Sequence, residues 1–308
     1  MRDHARSTGW QRALAGVALA IAAAACGGGS DDHTSQTSSR IAVLSAFPAE
    51  LAAVLEHATI DETTVVGGHI FRLGTIGDTP VVVAMTGIGL QNADATTNLL
   101  LDNFDVRGVV FSGVAGSAYR IGDVAVPEAW RAPDGSIYDC DRGWLARAKR
   151  IAKKDDLSFE QCTQLPMDPQ HAPVCLDFGP VMVVGGVGES SDPLGSNGQA
   201  MACQPNSMSD VFACDVPGGS VPTTAAALQA HDEADAAEAD EAIAQDNETA
   251  PVARLAAAHH LPFIAFRATS DGAGDPLNLP GFPTQFFAYY RLAAHNAAAG
   301  AAALVGEL

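Results

Sequence analysis

The stretch "LPFIAFRATSDGAG" (Leu261–Gly274) passes from apolar residues to Arg267, Ser270 and Asp271, and then to glycines. An apolar run bounded by Pro and Gly reads as a buried strand. In open α/β sheets, ligands bind beyond the carboxyl ends of the strands. The tip of this strand therefore reads as a site, and a carboxyl buried there would hold its proton more tightly and could donate it. Other strands end in the same manner: Ser45-Ala46 ahead of Glu50, Thr86-Gly87-Ile88-Gly89, Ser112-Gly113-Val114-Ala115-Gly116, and Gly185-Gly186. Small residues let a ligand approach the backbone. "TGIG" is either an anion cradle at a helix start or a tight βα turn. It lacks the Lys-Ser/Thr ending of a P-loop, and "GVAGSA" does not fit GxGxxG.

The elements that would carry these residues alternate in type. "RIAVLSAF" reads as a first buried strand, and Pro48 opens the helical spacing of "AELAAVLEHA". Gly67-Gly68 and Gly77-Asp78 mark hairpins in the next stretch. "LQNADATTNLLLDNF" reads as a helix, "VRGVVFSGVAGSA" as a strand and "RGWLARAKRIAKK" as a basic helix with a solvated face. Residues 179–191 read as one buried strand with a Gly-rich exit, and 192–222 as a Gly/Ser/Pro/Asn-rich loop insertion. The first half of the acidic "HDEADAAEADEAIAQ" reads as an exposed helix or acidic loop. A short helix, the strand "PFIAF" and a long C-terminal helix complete the order. Strands alternating with helices give a single α/β domain.

Composition sets limits on partners. Of 308 residues, 47% are hydrophobic, enough for a sizeable core, and the mean hydropathy is +0.10. With 17 basic residues against 36 acidic, the net charge is −19, so nucleic acid is not an expected partner. The start of the chain combines a basic segment with the apolar "ALAGVALAIAAAA", the pattern of a secretory leader. Ala23-Ala24-Ala25-Cys26 followed by "GGGSDD" resembles a bacterial lipobox and flexible tether. That implies a leader at 1–25, lipidation of Cys26, a tether at 26–39 and a lipoprotein on the periplasmic side of the membrane. Cys140, Cys162, Cys175, Cys203 and Cys214 remain. Outside the cytoplasm clustered cysteines read as disulfides, with Cys203–Cys214 a plausible loop closure and one thiol left over. No CxxC is present, so a metal site is not expected.

In order, "AVLSAFPAEL", "VVAMTGIGLQNA", "VVFSGVAGSAYRIGDVAVP", "QDNETAPVA" and "PFIAFRATSDGAG" resemble the nucleoside phosphorylase/nucleosidase superfamily. That group includes the methylthioadenosine/S-adenosylhomocysteine nucleosidases. The resemblance spans roughly residues 40–305 and implies a three-layer α/β/α domain at 40–308 with a central mixed sheet, carrying a Cys-containing insertion around 135–222. It also implies a small nucleoside as ligand, no cofactor, and association, with a homodimer as the expectation.

The resemblance assigns roles that these residue types suit. N-glycosidic cleavage passes through an oxocarbenium-like sugar, and a purine leaves poorly unless a proton reaches its N7. Asp271 matches the family's acid, although "SDG" alone would read as a turn cap. Glu248 matches the glutamate that grips the ribose 2′- and 3′-hydroxyls, since a carboxylate accepts both protons well. Glu50 stands where the hydrolases activate water; "SAFPAEL" offers no basic residue to hold phosphate. Arg267 would orient Glu50 or the water, or be a structural ion pair. Asn247, Thr86, Gly87, Ala115, Gly116 and Ser270 complete the expected substrate surface. Departures from the pattern are Asn247 for a usual Met, Asp246 for a Glu, Pro251 for an Ala, and no aromatic in "GGVGESSDPL", where Glu189 and Ser190 lie; the candidates to replace it are Phe282, Phe286 or a residue from the Cys-rich insertion. The expected activity is hydrolysis of a purine-type nucleoside or thionucleoside. A phosphate-dependent phosphorylase and a non-catalytic nucleoside-binding lipoprotein are the alternatives.

Overall fold

Ile41, Ala42, Val43 and Leu44 have at most 1% of their surface exposed, as expected of a parallel strand covered on both faces. A computed structural model describes residues 39–154, 157–192, 200–222 and 242–308. The leader and Cys26 lie outside the described residues, as do all but the last residue of the expected tether and the acidic run up to residue 241.

The first strand, β1 (Arg40–Ser45), leads into α1 (Pro48–Leu55). β2 (Thr59–Val66), β3 (His69–Ile76) and β4 (Thr79–Met85) form the two hairpins, turning at Gly67-Gly68 and at Gly77, all with positive φ. α2 (Leu90–Asn103) follows "TGIG", and β5 (Val106–Arg120) follows α2. β6 (Val124–Val126), β7 (Ala129–Arg131) and β8 (Ile137–Asp139) are short. α3 (Arg142–Ile151) buries Trp144, Leu145, Ala148 and Ile151 beneath its basic face. Then come β9 (Cys162–Thr163), β10 (Val174–Cys175), β11 (Met182–Val184), β12 (Val187–Ser190) and β13 (Ala242–Asp246). α4 (Thr249–Ala258), β14 (Phe263–Ala273) and α5 (Thr284–Val305) end the chain.

Apart from β9 and β10, which pair only with each other, these strands form a mixed sheet in the order β2-β3-β4-β1-β5-β13-β12-β7-β8, which β14 joins through β5. β4, β1, β5 and β14 run parallel, so their carboxyl ends open at one edge. β5 is the central strand: it pairs with β1 and β14 along its length and touches β13 at Gly116, opposite Gln245. α1 and α3 pack on α5, while α2 packs on α4, giving the helical layers that flank the sheet. The architecture is the expected three-layer α/β/α.

One strand expected from the sequence is divided. Residues 179–191 form β11 and β12, separated at Gly185 and Gly186, with φ of 140° and 71°. Those values are open to glycine and costly for other residues. The break lets the chain leave β6, the partner of β11, and enter between β7 and β13. The cysteines form Cys162–Cys175 and Cys203–Cys214, leaving Cys140 free and buried. Among the described residues no helix is long and apolar enough to cross a membrane.

Candidate active site

Glu50 sits in the first turn of α1, directly beyond the tip of β1, and is 1% exposed. Its Oε2 accepts from the Ala46 amide at 2.6 Å and its Oε1 from the Val114 amide at 2.7 Å. The helix start and the central strand thus hold the carboxylate between them. Burial pushes this carboxyl up to about 7, opposed by Arg267 and the two amides.

Arg267, on β14, is also 1% exposed and lies with its guanidinium over the Phe111 ring at 4.2 Å. Three carboxylates surround it: Nη1 is 3.7 Å from Glu50 Oε1, Nε is 2.7 Å from Asp246 Oδ2 and Nη2 is 3.4 Å from Glu248 Oε2. Nη1 also donates to the Val114 carbonyl, and Nε and Nη2 donate to Thr249 Oγ1. One cation cannot balance three anions in so dry a place. Burial therefore raises Glu248 as well, Arg267 countering and the neighbouring Asp246 and Glu50 adding to the rise. Glu50 and Glu248 are thus poised to hold protons near neutral pH.

Glu248 occupies the N-cap position of α4 but does not cap it with its side chain. Its Oε1 instead accepts the Gly89 amide at 3.0 Å, reaching from β13's end to the start of α2. Asp246 does the capping, its Oδ1 accepting from the Glu248 and Thr249 amides at 3.2 Å each and from the Ser190 hydroxyl. Asn247 is half-buried between them, and its amide, in the orientation that turns the nitrogen toward carbonyls, donates to the Ser191 carbonyl.

Asp271 lies opposite Gly116 on the β14 side, while Gln245 lies opposite the same glycine on the β13 side. One residue of β5 thus separates β13, which ends two residues before Glu248, from the strand that carries Asp271. A Cβ on Gly116 would stand 2.9 Å from Asp271 Oδ2, so the glycine leaves the carboxyl room. Burial raises the Asp271 carboxyl, and the hydrogen bond from Ser270 Oγ at 2.7 Å lowers it in part. Ser270 also donates to the Ala115 carbonyl. Thr86 is buried at the tip of β4, its hydroxyl donating to the Ser45 and Gly87 carbonyls, and Gly87 takes φ of 86°.

The structure brings Glu50, Arg267 and Glu248 into direct contact and places Asp271, Ser270, Ala115 and Gly116 on adjoining strand tips. The sequence pattern presents Asp246 only as a departure and Ser190 only beside the missing aromatic, and it does not single out Thr249 or Asp192. A Cβ on Gly89 would lie 3.4 Å from both Asp192 carboxylate oxygens, so Asp192 and Glu248 flank the same glycine. The signal for Asp246 and Thr249 is "QDNETA", in which the sequence alone gives a site role to Glu248 and Asn247. Of the two aromatics that could serve as a platform for a base, Phe286 is stacked on Tyr290, while Phe282 is exposed and leans on Phe286 at 6.0 Å. Among the described residues no group of three or more His, Cys, Asp and Glu is arranged to hold a metal ion.

The fold and the site define an α/β protein whose strand tips gather buried acids around one guanidinium, where open sheets of this kind bind small molecules. The profile of the Phosphorylase superfamily matches residues 40–305, and the chain belongs to that family. An uncharacterized protein of Mycobacterium tuberculosis is 41% identical over 199 residues, 57% of this chain and 76% of its own length. A 5′-methylthioadenosine/S-adenosylhomocysteine nucleosidase of Shewanella denitrificans is 24% identical over 274 residues, 87% of this chain and all of its own. Among solved structures, the futalosine hydrolase of Helicobacter pylori superposes with a TM-score of 0.57 at 22% identity, covering 88% of this chain and 98% of that one.

Proposed function

We propose that this protein is a nucleosidase that hydrolyses the N-glycosidic bond of a purine-type nucleoside or thionucleoside. The observation that carries the reading is the placement of Asp271 on β14 opposite Gly116 of β5, with Glu248 three residues beyond Gln245, which faces the same glycine from β13, and with Glu50 joined to Glu248 through Arg267. The names of relatives support it: nucleosidases acting on 5′-methylthioadenosine/S-adenosylhomocysteine or aminodeoxyfutalosine align with this chain.

In this reading the C1′–N9 bond breaks and its electron pair leaves with the purine, while the Asp271 proton passes to N7. The raised Asp271 carboxyl keeps that proton available. Glu248 accepts hydrogen bonds from the sugar hydroxyls and steadies the cationic sugar. A water attacks C1′ and gives its proton to Glu50, which must be ionised to take it. Arg267 holds Glu50 and Glu248 in place and offsets part of their charge.

Phosphorolysis fits less well. The Ala46 and Val114 amides, which could cradle an anion at the β1 and β5 tips, both donate to Glu50. A carboxylate there repels phosphate. The test is release of free base from a panel of purine nucleosides and 5′-thionucleosides with wild-type protein and with Glu50→Gln. Turnover that Glu50→Gln abolishes supports the assignment. Binding without turnover in both proteins favours a non-catalytic binding protein. The leader and Cys26 support a lipid-anchored form at a membrane surface, which the intact mass of the membrane-extracted protein would test.

A further inference from the structure

The helix that carries Glu50 starts without a side-chain cap. Phe47 at its N-cap position makes no such bond, and Pro48 has no N–H to satisfy. The next amide, Ala49, is satisfied from far away: it donates to the Asp210 carbonyl at 2.7 Å. Asp210 belongs to the segment closed by Cys203–Cys214.

That segment is tied down at several places around the strand tips. The Asp210 carboxylate accepts from the Tyr290 hydroxyl at 2.7 Å and from Arg291 Nε at 2.7 Å, both on α5, and is itself buried. Arg72 on β3 makes two bonds of 2.6 Å to Asp215. Asn92 on α2 donates to the Met201 and Ile88 carbonyls at 2.7 Å each. Residues 201–215 therefore form a strap across β3, α1, α2 and α5. Within it, Ser209 Oγ accepts from the Val211 and Phe212 amides, shaping the turn that presents Asp210. Val211 and Ala213 are its only buried apolar residues among those described, too few to fold such a loop alone. Its order depends on the disulfide and the ionic ties.

We propose that Asp210 is a positioning residue for Glu50, and that the Cys203–Cys214 bridge holds it there. The Asp210 carbonyl pins the first turn of α1 one residue before Glu50, while its carboxylate fixes that turn against α5. Without the strap the turn frays, water reaches Glu50, and its bonds to Ala46 and Val114 loosen. Arg267, Asp246 and Glu248 still face Glu50, so its surroundings change chiefly in solvation. The functional part of this inference rests on the proposed role of Glu50; the structural part does not.

Three proteins separate these parts: Asp210→Ala, the pair Cys203→Ser/Cys214→Ser, and the control pair Cys162→Ser/Cys175→Ser. Misplacement of a catalytic group by an ångström can cost on the order of 100-fold. The first two are expected to lose about tenfold or more in kcat with KM changed less than about twofold. The acid limb of the kcat profile should move to lower pH as Glu50 gains water. The control pair should retain both kcat and limb. Equal losses in the control pair, or an unmoved limb in the first two, overturn the proposal.

Amide hydrogen exchange of residues 46–55 in the wild-type chain, with and without a thiol reductant, needs no variant and no substrate. Faster exchange there, with 249–258 unchanged, is expected. Unchanged exchange on reduction would overturn the structural part even if Glu50→Gln abolishes turnover. Faster exchange with full turnover in Glu50→Gln would instead refute the proposed role of Glu50 and leave the strap standing.

Discussion

Glu50 and Arg267, 3.7 Å apart and each only 1% exposed, meet over Gly113 of β5. A Cβ on that glycine would stand 2.4 Å from Glu50 Oε1 and from Arg267 Nη1, a separation real side chains do not tolerate. The central strand is narrow at this point because two charged groups from different elements occupy the space above it. Gly113→Ala is expected to destabilise the fold by about 1–3 kcal/mol, as other overpacking changes do. It should also reduce kcat more than it alters KM. Urea unfolding together with steady-state kinetics checks both, and a variant as stable and active as wild type would contradict the packing described.

Removing the guanidinium tests the cluster from its centre. Arg267→Gln leaves Glu50, Asp246 and Glu248 without their shared cation, and breaking one partner of a buried ion pair costs about 3–5 kcal/mol. Arg267→Lys keeps the charge but loses the planar fork that reaches Val114, Thr249 and the acids together. It is expected to recover part of the stability and little of the turnover. Because Arg267 lowers the Glu50 carboxyl, any residual activity in Arg267→Gln should show its acid limb at higher pH.

Stability should depend on pH in a direction set by the same acids. Glu50 rises from an ordinary glutamate value to about 7, and Glu248 is raised too, so between the ordinary value and these raised ones the native state holds protons that the unfolded chain has released. Stability from this source is fully present below the ordinary value and is lost as pH rises through the raised ones. Glu248→Gln, which carries no charge to bury, should flatten the fall in Tm between about pH 5 and 8. A steeper fall than wild type would contradict the assignment.

Asp271 makes a sharper prediction about chemistry. Its carboxyl accepts one hydrogen bond, from Ser270, and stands partly exposed at a strand tip, so Asp271→Asn should leave Tm nearly unchanged. Loss of a general acid typically costs about 100- to 10,000-fold in kcat. A riboside with a nitrophenolate leaving group needs no such proton, and its cleavage should survive the substitution. Equal loss on both substrates would contradict the acid role.

Much of this arrangement was legible in the chain. Apolar runs that end abruptly in "FRATSD" and "LSAFPAE" place Arg267, Asp271 and Glu50 at strand tips, and Gly67-Gly68 and Gly77-Asp78 mark both hairpins. Relations made only by packing were hidden. Asp246, Thr249 and Ser190 meet because β12 pairs with β13, and neither strand carries an alternation that announces the pairing. The split at Gly185-Gly186 looked like an exit because a strand break and a strand end have the same local composition. The bond from Ala49 to Asp210 joins a helix start to a loop poor in pattern, and no periodicity reports a contact of that kind.

The account is tested most directly by the products formed from a purine nucleoside in phosphate-free buffer. It predicts free base and free reducing sugar in equal amounts, at a rate that added phosphate does not increase and that both Glu50→Gln and Asp271→Asn suppress. Base release that requires phosphate and yields a sugar 1-phosphate, or no release from any nucleoside tried, would contradict it.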